Sequence, residues 1–332
     1  MPGLVNRSAG YRVSSLVLRL RRPRLRLGLA VAALAILAMV MTAGAAGRPP
    51  VEKAERPAAT CGPGTLSPGN HLIDVDVAET PRQVLIHMPP GSGNARIPLV
   101  LAFHGAGGSG PAMAPYSGLS RLADRAGFAV AYPSAAGPRH VWELGGREDE
   151  PSANDIAFAR RLLNVLPAQT CADAARLGAV GVSNGGGFVA RLGCVVGDRL
   201  AGIVVVAGGF SAVPPCATGR PLSVLEIHGT DDPVVPYNGR AGLGSVPTWL
   251  AAWRSRDGCP TRSHQAQAAA RVRRFDWLPC RNGSVVVHLR ISGGKHQWPG
   301  AVPADPGPAS TISAADEAWR FLVTRRLKQP ER

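Results

Sequence analysis

An apolar run, Leu177 to Val182, passes with no linker into a helical pattern, Gly185 to Leu192, and the junction reads Gly181-Val182-Ser183-Asn184-Gly185. A strand that turns into a helix within two residues bends too tightly for side chains on both flanks, so glycines bracket the serine. Such a bend commits the chain to a layered α/β architecture, in which helices cover a sheet. It also lifts the Ser183 hydroxyl above the sheet and aims a helix N-terminus at any negative charge developing beside it. In a chain with 40 glycines the pattern arises readily by chance. Its strand–turn–helix setting is what makes Ser183 the candidate nucleophile.

The remaining patterns agree with that architecture. Leu72 to Val77 and Gln83 to Met88 read as a hairpin around Pro81, and Pro98 to His104 as a buried parallel strand. Further strands are expected over Phe128–Tyr132, Ile203–Val206, Leu222–Ile227 and Val285–Ile291. Helical spacing marks Asn154–Leu166, Pro247–Trp253 and a closing Ala314–Val323. Strands alternating with helices predict an α/β-hydrolase fold, a mostly parallel central sheet with helices on both faces. Residues 71–328 read as one catalytic domain, with no internal repeat and no second domain after the closing helix.

A serine is a weak nucleophile at neutral pH and needs a positioned base that is itself held by an acid. In this architecture the chain order is serine, acid, histidine. Leu225-Glu-Ile-His-Gly-Thr-Asp-Asp-Pro-Val-Val-Pro236 puts Asp231 and Asp232 in the loop after a strand, and spacing alone does not choose between them. Three histidines follow: His264, His288 and His296. His264 lies in a polar stretch and His288 inside a strand, whereas His296 sits in a glycine-rich loop just past the last strand, where a mobile base belongs. His104-Gly105-Ala106-Gly107-Gly108 follows the third strand, and a backbone N–H there, expected at Ala106, would pair with that of Asn184 as an oxyanion hole. His104 itself is read as a packing and hydrogen-bonding residue. Gly105 to Gly110 also fits the dinucleotide pattern G-x-G-x-x-G. That reading wants an acid at the end of the next strand, which instead ends Ala131-Tyr132-Pro133-Ser134. No organic cofactor and no metal is expected.

The first 45 residues are expected to be a targeting segment. Seven arginines, Arg7 to Arg26, precede an apolar run from Leu27 to Met41 and the small residues Ala43-Gly44-Ala45-Ala46. Two readings fit: a cleaved secretory signal, or an uncleaved anchor. Either puts the rest of the chain outside the cell. The whole-chain charge of +15 less these seven arginines is +8, a basic surface suited to anionic cell-wall or membrane material. No Lys/Arg run is interleaved with aromatics, so nucleic acid is not an expected partner, and contact with a membrane is expected only through the N-terminal segment. Residues 46–70 are rich in Pro, Ala and Gly and read as a linker. All six cysteines lie beyond the targeting segment without a C-x-x-C pair, which points to disulfides. Cys259 and Cys280 are the expected pair, because they bracket a polar excursion ahead of the last strand.

Five ordered motifs carry a family resemblance: Phe103-His-Gly-Ala-Gly-Gly, Asn154-Asp-Ile-Ala-Phe, Gly181-Val-Ser-Asn-Gly-Gly, His228-Gly-Thr-Asp-Asp-Pro-Val-Val-Pro-Tyr and Lys295-His-Gln-Trp-Pro-Gly. Together, over roughly residues 72–320, they resemble the secreted polyhydroxybutyrate-depolymerase and feruloyl-esterase family. The resemblance places the triad acid on Asp232 and the base on His296, and gives Asp155 a structural role. It implies a serine esterase acting through an acyl-enzyme on small or oligomeric esters derived from cell-wall or plant polymer. Aromatics are only 5% of the chain, so short or soluble esters are expected over a crystalline polyester. The rival expectations are an acyltransferase on the same triad and an inactive binding protein of the same fold, the latter requiring a damaged triad.

Overall fold

The computed structural model describes residues 61–77, 80–93, 95–145, 154–210, 216, 219–302 and 312–327, all within one compact unit, Glu55–Arg332. The targeting segment and residues 46–60 of the expected linker lie outside the described residues. The described end of that linker is tied down: Cys61 is disulfide-bonded to Cys171, and Leu66 N–H donates to Gln169 O at 2.8 Å.

Among the described residues, ten strands form one sheet. In chain order they are β1 (Gly69–Val77), β2 (Thr80–Met88), β3 (Ile97–Phe103), β4 (Ala129–Pro133), β5 (Ala172–Val182), β6 (Gly202–Val206), β7 (Ser223–Gly229), β8 (His264–Ala269), β9 (Val272–Trp277) and β10 (Val286–Ile291). Their order across the sheet is β1-β2-β4-β3-β5-β6-β7-β10-β9-β8. From β4 to β10 all neighbours are parallel, while β1-β2-β4 and β10-β9-β8 pair antiparallel at the two sides. This is the α/β-hydrolase fold expected from the alternating patterns.

The helices are α1 (Gly110–Ser117), α2 (Leu119–Ala126), α3 (Asn154–Gln169), α4 (Asn184–Val195), α5 (Val246–Asp257) and α6 (Ala314–Leu322). Successive strand residues face opposite sides, so the parallel strands feed two cores. Leu99, Leu101, Phe103, Ile203 and Val205 pack with Leu162 of α3, Phe188 of α4 and Trp253 of α5. Val100, Ala102, Val204 and Val206 pack with Met113 of α1, Leu122 of α2 and Phe321 of α6. Both faces are therefore covered, and the loops at the strands' carboxyl ends are left to carry chemistry.

Several elements depart from expectation. Helices α1 and α2 were not anticipated; α1 is set by local signals, a Ser109 side chain that accepts from Ala112 N–H at 3.2 Å and a left-handed Gly118 (φ 71°). The polar excursion before the last strand is the hairpin β8–β9, whose outer strand is exposed along nearly its whole length and so shows no apolar alternation. Pro81 lies opposite Asp76 within the first hairpin's ladder instead of at its turn. Pairing of β2 with β4 begins only at Val84, so the missing N–H costs that side nothing. The expected Cys259–Cys280 disulfide is present, alongside Cys61–Cys171 and Cys194–Cys216, and no cysteine is free.

Candidate active site

The turn between β5 and α4 holds Ser183 at φ 57°, ψ −121°, a conformation that L-residues rarely adopt. It is held there from both sides: Ser183 N–H donates to Val206 O at 2.9 Å, and Ser183 O accepts from Gly187 N–H at 3.0 Å. A Cβ at Gly181 would strike the Gly185 carbonyl, and one at Gly185 the His104 carbonyl. The two glycines are the condition for the bend.

Two loops meet this turn. The loop after β7 carries Asp232, and the loop after β10 carries His296. They are knitted together by Thr230 N–H to Ile291 O at 2.9 Å and Asp231 N–H to Gly294 O at 3.0 Å. Beyond His296, the buried Trp298 donates its indole N–H to Ser117 O at 3.1 Å, fixing the loop that carries His296 to α1.

The structure brings Ser183, His296 and Asp232 into one line. His296 Nε2 lies 2.9 Å from Ser183 Oγ, and His296 Nδ1 lies 2.8 Å from Asp232 Oδ2. Asp232 is 4% exposed, and its other oxygen accepts from Val234 N–H and Val235 N–H, both at 2.8 Å. Burial opposes its charge, yet hydrogen bonds from His228, His296 and the Val235 N–H hold its carboxyl well below the usual range. Asp231 points the other way. Its half-exposed carboxylate sits 3.8 Å from Lys295 Nζ and accepts from the Thr230 hydroxyl at 3.0 Å. Of the other histidines, His264 lies on the exposed edge strand β8 and His288 is buried on β10.

Asn184 opens α4, so its backbone N–H belongs to the unpaired first turn. Its side chain clasps the loop ahead of α3, accepting from Trp142 N–H at 2.7 Å and donating to Trp142 O at 2.9 Å. Ala106 and Ser183 line the same cavity, and a Cβ on the adjoining Gly105 would come within 3.4 Å of Ser183 Cβ. Both His104 nitrogens are engaged: Nδ1–H donates to Gly105 O at 2.7 Å, and Nε2 accepts from Ala135 N–H at 3.0 Å. That pattern needs a neutral ring, and burial pushes the His104 pKa down accordingly. Trp142 Nε1–H adds a 3.0 Å bond to His104 O. Asp155 is buried against Arg82 at 2.8 Å and accepts from Glu143 N–H at 2.9 Å, a structural clamp beneath the same loop.

The cavity at Ser183 measures about 480 Å³. Ala112, Met113, Tyr116 and Val234 form its apolar wall, with Ser109 and Gln297 as polar points. Among the described residues, no group of three or more His, Cys, Asp or Glu is arranged to hold a metal ion.

Sequence reasoning missed two features. Trp142 gave no signal, lying in a loop without pattern. The buried group of Glu226, His228 and His288 did leave one: Leu225-Glu-Ile-His228 places a charged residue inside an otherwise apolar central strand, and such a residue demands buried partners.

The model of the esterase PHB depolymerase family matches residues 83–237, a stretch that carries Ser183 and Asp232 and stops before His296. A protein named "Putative esterase NocK", from Nocardia uniformis subsp. tsuyamanensis, is 31% identical over 336 residues, covering 86% of this chain and 95% of that protein. The chain belongs to the esterase PHB depolymerase family. Feruloyl esterase B of Piromyces equi is 29% identical over 238 residues, which is 65% of this chain but only 42% of that longer protein. The acetyl xylan esterase of Aspergillus awamori superposes with a TM-score of 0.57 at 15% identity, over 76% of this chain and 99% of that one, a likeness of fold. As a member of the esterase PHB depolymerase family, the chain is a carboxylic ester hydrolase.

Proposed function

We propose that this esterase works by two acyl transfers through a covalent acyl-enzyme on Ser183. The observation that carries the reading is the hydrogen-bonded line from Ser183 Oγ through the His296 ring to Asp232 Oδ2, at 2.9 and 2.8 Å. His296 Nε2 takes the Ser183 proton as Oγ attacks the ester carbonyl, and Asp232 holds the ring and balances the imidazolium. The backbone N–H groups of Ala106 and Asn184 receive the oxyanion. His296 then protonates the departing alcohol, water enters, and the same steps in reverse sense release the acid.

The apolar cavity favours an uncharged acyl or aryl group over a charged one, in keeping with feruloyl-type, hydroxyalkanoate or short-chain esters. Export is part of the proposal, supported by the basic-then-apolar N-terminal sequence and by the pairing of all six cysteines. Ser183→Ala is expected to abolish both ester hydrolysis and labelling by a fluorophosphonate probe while the protein stays folded, and undiminished labelling would refute the nucleophile. A chromogenic ester panel with feruloyl, 3-hydroxybutyryl and acetyl members then ranks the acyl groups.

A further inference from the structure

Behind the triad acid lies a second set of ionisable groups that ester hydrolysis does not use. Glu226, on β7, is completely buried (0% exposed). Its Oε1 lies 2.9 Å from His228 Nδ1. Its Oε2 lies 2.6 Å from His288 Nδ1, close enough for an ion pair but poorly aligned for a hydrogen bond. The parallel register of β7 and β10 sets Glu226 beside His288. On its far side, His228 Nε2 lies 2.9 Å from Val235 O and 3.4 Å from Asp232 Oδ2.

Every partner of the His228 ring is an acceptor: a carboxylate at Nδ1, a carbonyl and a second carboxylate at Nε2. A neutral imidazole has one N–H and would turn a lone pair on one of them, whereas an imidazolium satisfies both sides. His288 differs. Its Nε2 lies 3.0 Å from the Tyr237 hydroxyl, which can donate, so a neutral ring suffices there. Other charged groups nearby are Arg290 of β10, which stacks on Phe275 of β9 with 5.1 Å between guanidinium and ring centroid, and the Asp231–Lys295 pair on the loops that carry Asp232 and His296. Asp232 thus stands between two histidines, His228 behind it and His296 in front.

We infer that Glu226 and His228 form a buried ion pair whose cationic end acts as a positioning residue, holding Asp232 and governing through it how readily His296 accepts a proton. The inference rests on the triad reading above. A positive charge behind Asp232 opposes a second one on His296, so the two histidines compete for the same carboxylate. It also leaves the assembly near neutral when His296 takes the Ser183 proton, which matters because unbalanced charge is costly in a buried site.

Two measurements test this. Side-chain nitrogen NMR of the wild-type enzyme is expected to show both His228 ring nitrogens protonated through neutral pH; one unprotonated nitrogen at pH 7 overturns the inference. In His228→Gln, the midpoint of the acid limb of kcat/KM is expected to move upward by on the order of one pH unit, the scale of a unit charge acting across a few ångströms of protein. A merely structural role would lower activity without moving that midpoint. An unmoved acid limb, with Ser183 still labelled by fluorophosphonate, overturns the inference while leaving the triad intact. Labelling that survives in Ser183→Ala instead overturns the triad and leaves the His228 resonance to be read on its own. Should His228→Gln fail to fold, the wild-type spectrum decides.

Discussion

Asp231 and Asp232 differ by one position and by nearly everything else. The carboxylate of Asp232 is buried, accepts two backbone N–H bonds and faces His296, while that of Asp231 is half-exposed and leans toward Lys295. Asp232→Asn is expected to keep the loop but favour the wrong imidazole tautomer, lowering kcat by up to about ten-thousandfold. Asp231→Asn loses only a long surface ion pair and should change kcat by less than about threefold. Turnover numbers of the two variants decide, and the reverse order would make Asp231 the acid. Spacing could place an aspartate in this loop but not choose between neighbours, because a single-residue shift turns a side chain from one side of the backbone to the other. The same limit hid the His228 contact. The charged Glu226 in an apolar strand called for buried partners, but which of them His228 would meet depended on the loop after that strand folding back over it.

At the C-terminal end of α5, Asp257 is buried and accepts from Leu222 N–H at 3.0 Å, with Arg256 Nη1 3.5 Å from its other oxygen. Burial pushes its pKa up to about 6, and the Arg256 charge offsets this only in part. A carboxyl raised on folding holds its proton longer in the native state than in the unfolded one. Stability therefore declines as pH rises from about 4 to about 6, and the loss persists above. Asp257→Asn should raise Tm by several degrees at pH 7 to 8, on the order of 1–2 kcal/mol, with the gain vanishing near pH 4. Thermal melts at the two pH values check it; equal gains at both would mean the charge is not the cause. At this scale, legibility followed burial. The central strands β3, β5, β6 and β7 lie between two cores and read as apolar runs. By contrast β8, His264–Ala269, is exposed along most of its length and carries no alternation. Helix α1 has Pro115 in its interior and no apolar stripe, so its ends, not its face, define it.

Across the whole molecule the disulfides close loops of very different size. Cys61–Cys171 spans 110 residues, and Cys259–Cys280 spans 21. By loop-closure entropy the longer bridge contributes about 4–5 kcal/mol and the shorter about 3. Replacing Cys61 and Cys171 with serine should therefore lower the urea midpoint more than the same change at Cys259 and Cys280, and the reverse ranking would show that native packing outweighs chain entropy. The sheet order carries a consequence for synthesis. Strand β10 is the last of the described strands to be made but not the last across the sheet: it lies between β7 and β9, and His296 follows it by five residues. Until it arrives, β7 and β9 each offer an unpaired edge, and Ser183 and Asp232 lack His296. Closing that gap seals the sheet and delivers His296 in a single event. On the proposed triad, a chain still emerging from the ribosome is expected to be inert toward esters until β10 is in place, so its own synthesis would act as the timer on its chemistry.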